Sequence, residues 1–232
     1  MKRMINSLLG RREEGPDHVS DIDLPHTERV KKWGHRRYIG GTDPEFWYGI
    51  GRHQYHYLVS MGLRPDHVFL DVACGSLRLG QYIIPMLDKG NYFGIEGEQA
   101  LIDAGVEKEM DFDVVALKEP TFMCNYEFDV SKCPGYDFAI AQSLFTHLTI
   151  DDIAKCFNSL YPIAKPGSQF FFTFFEGDES ENEHSVSHAN LGWNYQFGTI
   201  EAVAKNAGFD CEYVGHWNHP RNQMMAIARK PS

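Results

Sequence analysis

Cysteine is sparse and unpatterned in this chain. The five present (Cys74, Cys124, Cys133, Cys156 and Cys211) are scattered, and no two form a C-x-x-C pair. That arrangement argues against a disulfide framework and predicts reduced, mostly packed thiols in a cytosolic setting. Long apolar runs are also missing: none approaches the ~20 residues needed to span a bilayer. The N-terminus has no apolar core followed by a small-residue cleavage site, so the expectation is a cytoplasmic chain without a transmembrane segment. Positive charge is scarce beyond the first 42 residues. That opening segment carries a net charge of +3 and the remainder −13, for a total of −10. Such a balance disfavours nonspecific nucleic-acid binding by the body of the protein, and no specific nucleic acid is expected as a partner. The basic patch of Arg29, Lys31, Lys32, Arg36 and Arg37 leaves room for a local anion site.

The 232 residues are enough to bury a sizeable core in one α/β domain. The most informative stretch is His67 to Gly80, HVFLDVACGSLRLG. Val68 to Val72 is a continuous apolar run, as expected for a parallel strand covered on both faces. Small residues follow, and Ser76 is expected to cap a helix with Leu77, Leu79, Ile83, Ile84 and Leu87 on its apolar side. Strand, small-residue turn and helix bring a nucleotide-like ligand against backbone amides. Asp71, at the strand end, is wrong for phosphate but suits a cationic or hydroxyl-bearing ligand. A second short strand, Asn91 to Ile95, ends in Glu96. A carboxylate at that point accepts hydrogen bonds from the hydroxyls of a ribose.

With Asp71, Ala73, Gly75 and Leu77 as its first motif, the chain resembles the class I S-adenosylmethionine-dependent methyltransferases from about Trp47 to Lys230. The motif is an acidic residue followed by glycines at alternate positions, and here only the middle glycine is retained. Leu77 in place of glycine restricts the backbone there. The run LDVACGSLRLGQYIIPMLDKGNYFGIE is also similar to a bacterial subgroup acting on glycans or other small metabolites. The resemblance implies a Rossmann-like, seven-stranded, mostly parallel sheet with helices on both faces and an N-terminal helical cap. It implies S-adenosylmethionine as cofactor and S-adenosylhomocysteine as product. Residues 1–42 are read as an arm or cap segment and 43–232 as a single domain.

Along the chain, residues 1–12 form a short amphipathic stretch, read as a docked or frayed terminus or as a weak membrane-surface contact. Residues 13–25 read as a linker, and 27–38 as a basic helix. Asp43 and Pro44 start a further helix. In the resembled family this segment lids the cofactor, so Trp47, Arg52, His53, Gln54, His56 and Tyr57 become site candidates. Of these, Trp47 and Tyr57 are expected to pack in the core, while Arg52 and Gln54 are expected to meet the cofactor carboxylate or the acceptor. Residues 108–122 show no clear period and read as an irregular excursion.

Cys74 and Gly97 flank the two motif carboxylates and are assigned to the cofactor with them. By the same resemblance Asp129, with Val130 beside it, meets the adenine edge. Tyr136 to Ala141 reads as the fourth strand. Gln142 and Ser143 then lie where the transferable methyl faces the acceptor. Thr149 caps a helix through Leu160, and Gln169 to Phe175 is a strongly buried strand. Glu176 to Asn190 carries five carboxylates and two histidines. It is read either as a metal site or as a mobile acidic loop, with no metal assigned. The polar run Gly215 to Gln223, with His216 and Arg221, reads as an acceptor-facing loop.

The expected reaction is in-line methyl transfer to an oxygen or nitrogen of a small acceptor such as a sugar, glycan precursor or acidic metabolite. His53, His147 and His219 are the candidate bases where the acceptor must lose a proton. Arg78 and Arg221 are candidates for recognising a carboxylate or phosphate on it. A protein or RNA methyltransferase, or an inactive cofactor-binding scaffold, stays open as an alternative.

Overall fold

The computed structural model describes residues 25–182 and 184–232. The amphipathic stretch 1–12, with its proposed membrane contact, and most of the linker lie outside the described residues. The chain enters through α1 (His26–Trp33) and α2 (His35–Tyr38). A single π-helical turn, Glu45–Gly49, then runs into α3 (Ile50–Ser60). There follow β1 (Phe69–Val72), α4 (Gly80–Met86), β2 (Tyr92–Glu96), α5 (Gln99–Lys108), α6 (Phe112–Lys118), β3 (Thr121–Cys124) and β4 (Tyr136–Ala141). The second half holds α7 (Ile150–Leu160), β5 (Ala164–Glu176), β6 (Asn194–Tyr195), α8 (Phe197–Ala207), β7 (Asp210–His216) and β8 (Met224–Arg229).

Seven strands lie in the order β3-β2-β1-β4-β5-β8-β7, and the short β6 pairs with the end of β5. The first five are parallel, and β8 runs antiparallel to both of its neighbours. The strand sequences explain this sandwiching. Leu70 and Val72 of β1 enter one apolar layer, with Ala139 and Ala141 of β4 and Phe170 and Phe172 of β5. Phe69, Phe138, Ile140 and Phe171, one residue out of phase, enter the other. A strand buried on both faces needs apolar residues at successive positions, and that is the run the sequence displays.

Helix α7 shows local and tertiary signals in agreement. The Thr149 hydroxyl accepts from the Asp152 amide at 3.3 Å, and Asp151 and Asp152 oppose the helix dipole in the first turn. Ile153, Cys156, Phe157 and Leu160 are all fully buried on its inner side. The Phe157 ring lies 5.5–5.8 Å from those of Phe145, Phe170, Phe172 and Phe209, in mostly edge-on contacts.

Three expectations are corrected. Ser76 does not cap a helix: residues 75–79 form turns and α4 starts at Gly80. Leu77 sits at φ +64°, off the helical path, so no helix can run through it. The region 108–122 contains α6, capped by the Asp111 carboxylate accepting from the Asp113 amide at 2.9 Å. That helix buries no residue fully, leaving Phe112 82% exposed and Leu117 66%, which is why it shows no apolar period. The loop expected from Gly215 is also shorter, because β7 continues through His216, which pairs with Met224.

Phe157→Ala is expected to cost about 3–5 kcal/mol in urea unfolding. Phe112→Ala, on exposed α6, should stay within about 0.5 kcal/mol of the parent. Similar losses for the two would contradict the core assigned here.

Candidate functional site

The carboxyl ends of β1, β2 and β4 border a cleft of about 650 Å³. It lies where the strand order reverses, which is where open α/β sheets bind ligands, and its size suits a small molecule. Its floor is the turn after β1. Ala73, Gly75 and Leu77 adopt φ of +59°, +56° and +64°, so every second residue is left-handed. Two of the three are not glycine, which costs roughly 1–2 kcal/mol each. The surroundings hold them there: the Cys74 amide donates to the Ile95 carbonyl at 2.9 Å, and the Leu77 amide to that of Cys74 at 3.1 Å. The Leu77 side chain is fully buried beneath the turn, against α5. Leu77 therefore shapes the cleft from below and does not line it.

Two carboxylates face this turn. Asp71 is buried and accepts the Tyr92 hydroxyl at 2.8 Å. Glu96 accepts the Gly75 amide at 2.9 Å and the Glu98 amide at 3.1 Å. Burial pushes each up to about 7, Tyr92 lowering Asp71 in part and backbone amides lowering Glu96.

The opposite end is cationic. Arg78 is buried, donating to the Ile39 and Phe46 carbonyls at 3.4 Å each and to Gln142 Oε1 at 2.8 Å. Arg221 donates to the Gly40 carbonyl, and its guanidinium carbon lies 5.0 Å from the centre of the Phe46 ring. Gln142 is itself fixed, its amide nitrogen lying 2.6 Å from Ser143 Oγ, 3.1 Å from His219 Nε2 and 3.2 Å from Gln223 Oε1. Ser143, at φ +58°, donates its amide to Thr173 Oγ1 at 2.7 Å. Gln54 is buried at the cleft wall, and its Oε1 has no hydrogen-bond partner in the protein.

Thus Asp71, Ala73, Cys74, Gly75, Glu96, Gly97 and Gln142 of the expected cofactor set line the cleft, as do Gln54, Arg78, Ser143 and Arg221 of the acceptor set. Others lie elsewhere. Arg52 is exposed on the outer side of α3. Trp47 is fully buried against Arg36 and His35, and Tyr57 packs on Phe171 and Trp217. Asp129 is exposed and accepts the Ser131 amide, while Val130 belongs to the core. Asn125, Tyr126, Glu127 and Phe128 form the cleft wall in that region.

The three histidines separate in the same way. His147 lines the cleft. His53 lies outside it, with Nε2 2.6 Å from the Trp217 carbonyl. His219 is buried behind Gln142 and stacked on Trp217, and burial with nearby arginines pushes it down to about 3. His216 points from the exposed face of β7.

Sequence reasoning placed residues 27–60 and 215–223 at the pocket without singling out Arg37 to Gly40, which line the cleft, or Gln223, and it did not name Thr173. Ser187, His188 and Ala189 of the acidic loop also reach the cleft. Among the described residues no three His, Cys, Asp or Glu side chains group as metal ligands. Likewise, no helix among them is long and apolar enough to cross a membrane.

No family model matches the sequence. Solved structures do match. A magnesium protoporphyrin IX methyltransferase from Synechocystis PCC 6803, solved with bound S-adenosylmethionine, aligns at TM-score 0.62 and 16% identity over 89% of this chain and 98% of that one. A S-adenosylmethionine-dependent methyltransferase from Clostridium acetobutylicum aligns at 0.62 and 15%, over 90% and 100%. A candidate O-methyltransferase from Nostoc punctiforme aligns at 0.62 and 14%; the match covers 85% of this chain but only 61% of that longer protein. The chain has the fold of the class I S-adenosylmethionine-dependent methyltransferases.

The raised Asp71 carboxyl makes a testable statement about the ligand-free protein. Its folded value, about 7, exceeds the ordinary 3.8, so the folded state holds a proton that the unfolded chain has released. That contribution is present at low pH and is lost as pH rises toward 7. Asp71→Asn keeps an acceptor for Tyr92 without the charge. It should raise the unfolding free energy at pH 8 by up to about 4 kcal/mol and converge with the parent at low pH. Equal stability at both pH values would contradict a buried, costly charge.

Proposed function

We propose that this chain binds S-adenosylmethionine in the cleft and methylates an oxygen or nitrogen of a small acceptor. The observation that carries the reading is Glu96, at the tip of β2, bonded to the Gly75 amide of the left-handed turn. Two carboxylates over that turn repel a pyrophosphate but suit ribose hydroxyls and a cationic ligand. In this reading Glu96 takes the ribose hydroxyls, and Leu101, Ile95 and Phe128 offer apolar surface to the base. Arg78, held by Gln142, faces the carboxylate of the amino-acid part. Gln54, with its unpartnered oxygen, supplies an acceptor for a bound donor.

Bound S-adenosylmethionine supplies an already activated methyl group, so the protein's task is alignment and exclusion of water. The Arg37–Gly40 segment and residues 187–189 border the cleft from outside the sheet, an enclosure that supports a small acceptor. Ser143 lies beside Gln142 at the cationic end. His147 has Nδ1 2.7 Å from the Leu191 carbonyl, so Nδ1 carries the hydrogen and Nε2 keeps a lone pair. Burial holds it below the usual histidine value, and a neutral imidazole on the cleft is the one candidate base positioned to accept a proton.

Calorimetric titration with S-adenosylmethionine, S-adenosylhomocysteine and NAD tests this. The first two should bind and NAD should not, and Glu96→Ala should weaken binding by about 10–100-fold. Ligand hydroxyls and cations favour the ionised carboxylates. Binding should therefore release protons, and affinity should rise with pH through about 7, where both carboxyls titrate. Binding of NAD in preference, or of none of the three, would remove the reading.

A further inference from the structure

The cationic end of the cleft holds more positive charge than a cofactor with one carboxylate can neutralise. Arg78 and Arg221 both line the cleft and lie close enough that Arg221 lowers the Arg78 pKa. Among the described residues neither forms an ion pair. The oxygens that accept from them are neutral: three main-chain carbonyls and the Gln142 amide. Arg37, exposed, also lines the cleft and forms no ion pair among the described residues.

The two guanidiniums differ in depth and restraint. Arg78 is 7% exposed, and three acceptors from three segments fix it at the floor beside Gln142. Arg221 is half-buried on the loop between β7 and β8. Among the described residues its guanidinium is bonded to the Gly40 carbonyl alone and lies over Phe46. With one neutral acceptor, the remaining donors of this half-buried guanidinium stay open toward the cleft, and a bidentate oxyanion is the partner its planar fork fits best. The approach of Gly40 is close: a Cβ there would come within 2.6 Å of Arg221 Nη1. The Gly40 carbonyl and the Phe46 ring together hold the guanidinium in place before any ligand arrives.

We propose that the methyl acceptor is an anion, and that Arg221 recognises its carboxylate or phosphate group while Arg78 serves the cofactor. This rests on the cofactor reading above and selects a substrate class within it. Neutral sugars and amines lack the group that Arg221 is placed to hold. A carboxylate and a phosphate present the same pair of oxygens, and the test separates them.

Wild-type protein is first titrated with S-adenosylhomocysteine. The saturated complex is then titrated with inorganic phosphate and, separately, with acetate at constant ionic strength. At least one oxyanion should bind the complex, phosphate marking a phosphorylated acceptor and acetate alone a carboxylic one. Arg221→Gln should weaken that binding by about tenfold or more. It should leave S-adenosylhomocysteine affinity within about twofold, whereas Arg78→Gln should weaken S-adenosylhomocysteine by about tenfold or more. Arg221→Lys, which keeps the charge and loses the fork, should fall between parent and Arg221→Gln. Thermal unfolding of each variant confirms that it is folded. Three results would overturn the proposal: no oxyanion binding to the complex, oxyanion binding unchanged in Arg221→Gln, or S-adenosylhomocysteine lost in that variant. If wild-type protein fails to bind S-adenosylhomocysteine at all, the cofactor reading itself fails and this inference falls with it.

Discussion

The Glu96 carboxylate accepts the Gly75 amide across 2.9 Å, and this bond joins the end of β2 to the turn that follows β1. Much of the cleft depends on it. The turn is left-handed at alternate residues, two of them carrying side chains, and it would relax toward ordinary backbone without such restraint. The bond fixes the turn from above while buried Leu77 fixes it from below. The same carboxylate is held at the ligand face with its titration near neutrality, so the element that shapes the turn also sets the polarity of its ligand.

Charge is sorted along the cleft. The carboxylates Asp71 and Glu96 stand at the ends of β1 and β2, and two guanidiniums, Arg78 from the turn before α4 and Arg221 from the loop before β8, stand near Gln142. Between them a chain of uncharged polar groups, Gln142, Ser143, Thr173 and Gln223, links β4, β5 and the last loop. Each member has a partner, so the network holds Arg78 without introducing another charge. Asp71 and Arg78 attract across this arrangement, which raises the arginine in partial opposition to burial. A ligand cationic near one end and anionic at the other fits that sorting.

The frame of the fold was legible because its signals are local. Continuous apolar runs marked β1, β4 and β5, and Thr149 marked the start of α7. The motif carboxylates were legible for the same reason, each standing at the end of a recognisable strand. Helix α6 escaped because its largest apolar residues, Phe112 and Leu117, face solvent and break the apolar period. The Ser76 cap was misread because propensity cannot reveal that Leu77 takes a left-handed conformation stabilised by burial against α5. Asp129 was a reasonable adenine contact by position, yet its carboxylate turns back to the Ser131 amide and Phe128 forms the wall instead.

By itself the sequence determined the class of fold, the order of its elements along the chain and the acidic character of the first two strand ends. Periodicity and strand-end chemistry depend only on near neighbours. Tertiary structure alone decided which of three histidines faces the cleft, because His53, His147 and His219 differ in surroundings and not in any local pattern. It also decided that Arg37 to Gly40 crosses the cleft and that Arg221 meets Gly40 there, 181 residues away along the chain. Contacts of that span are set by how the layers pack, and no local spacing encodes them.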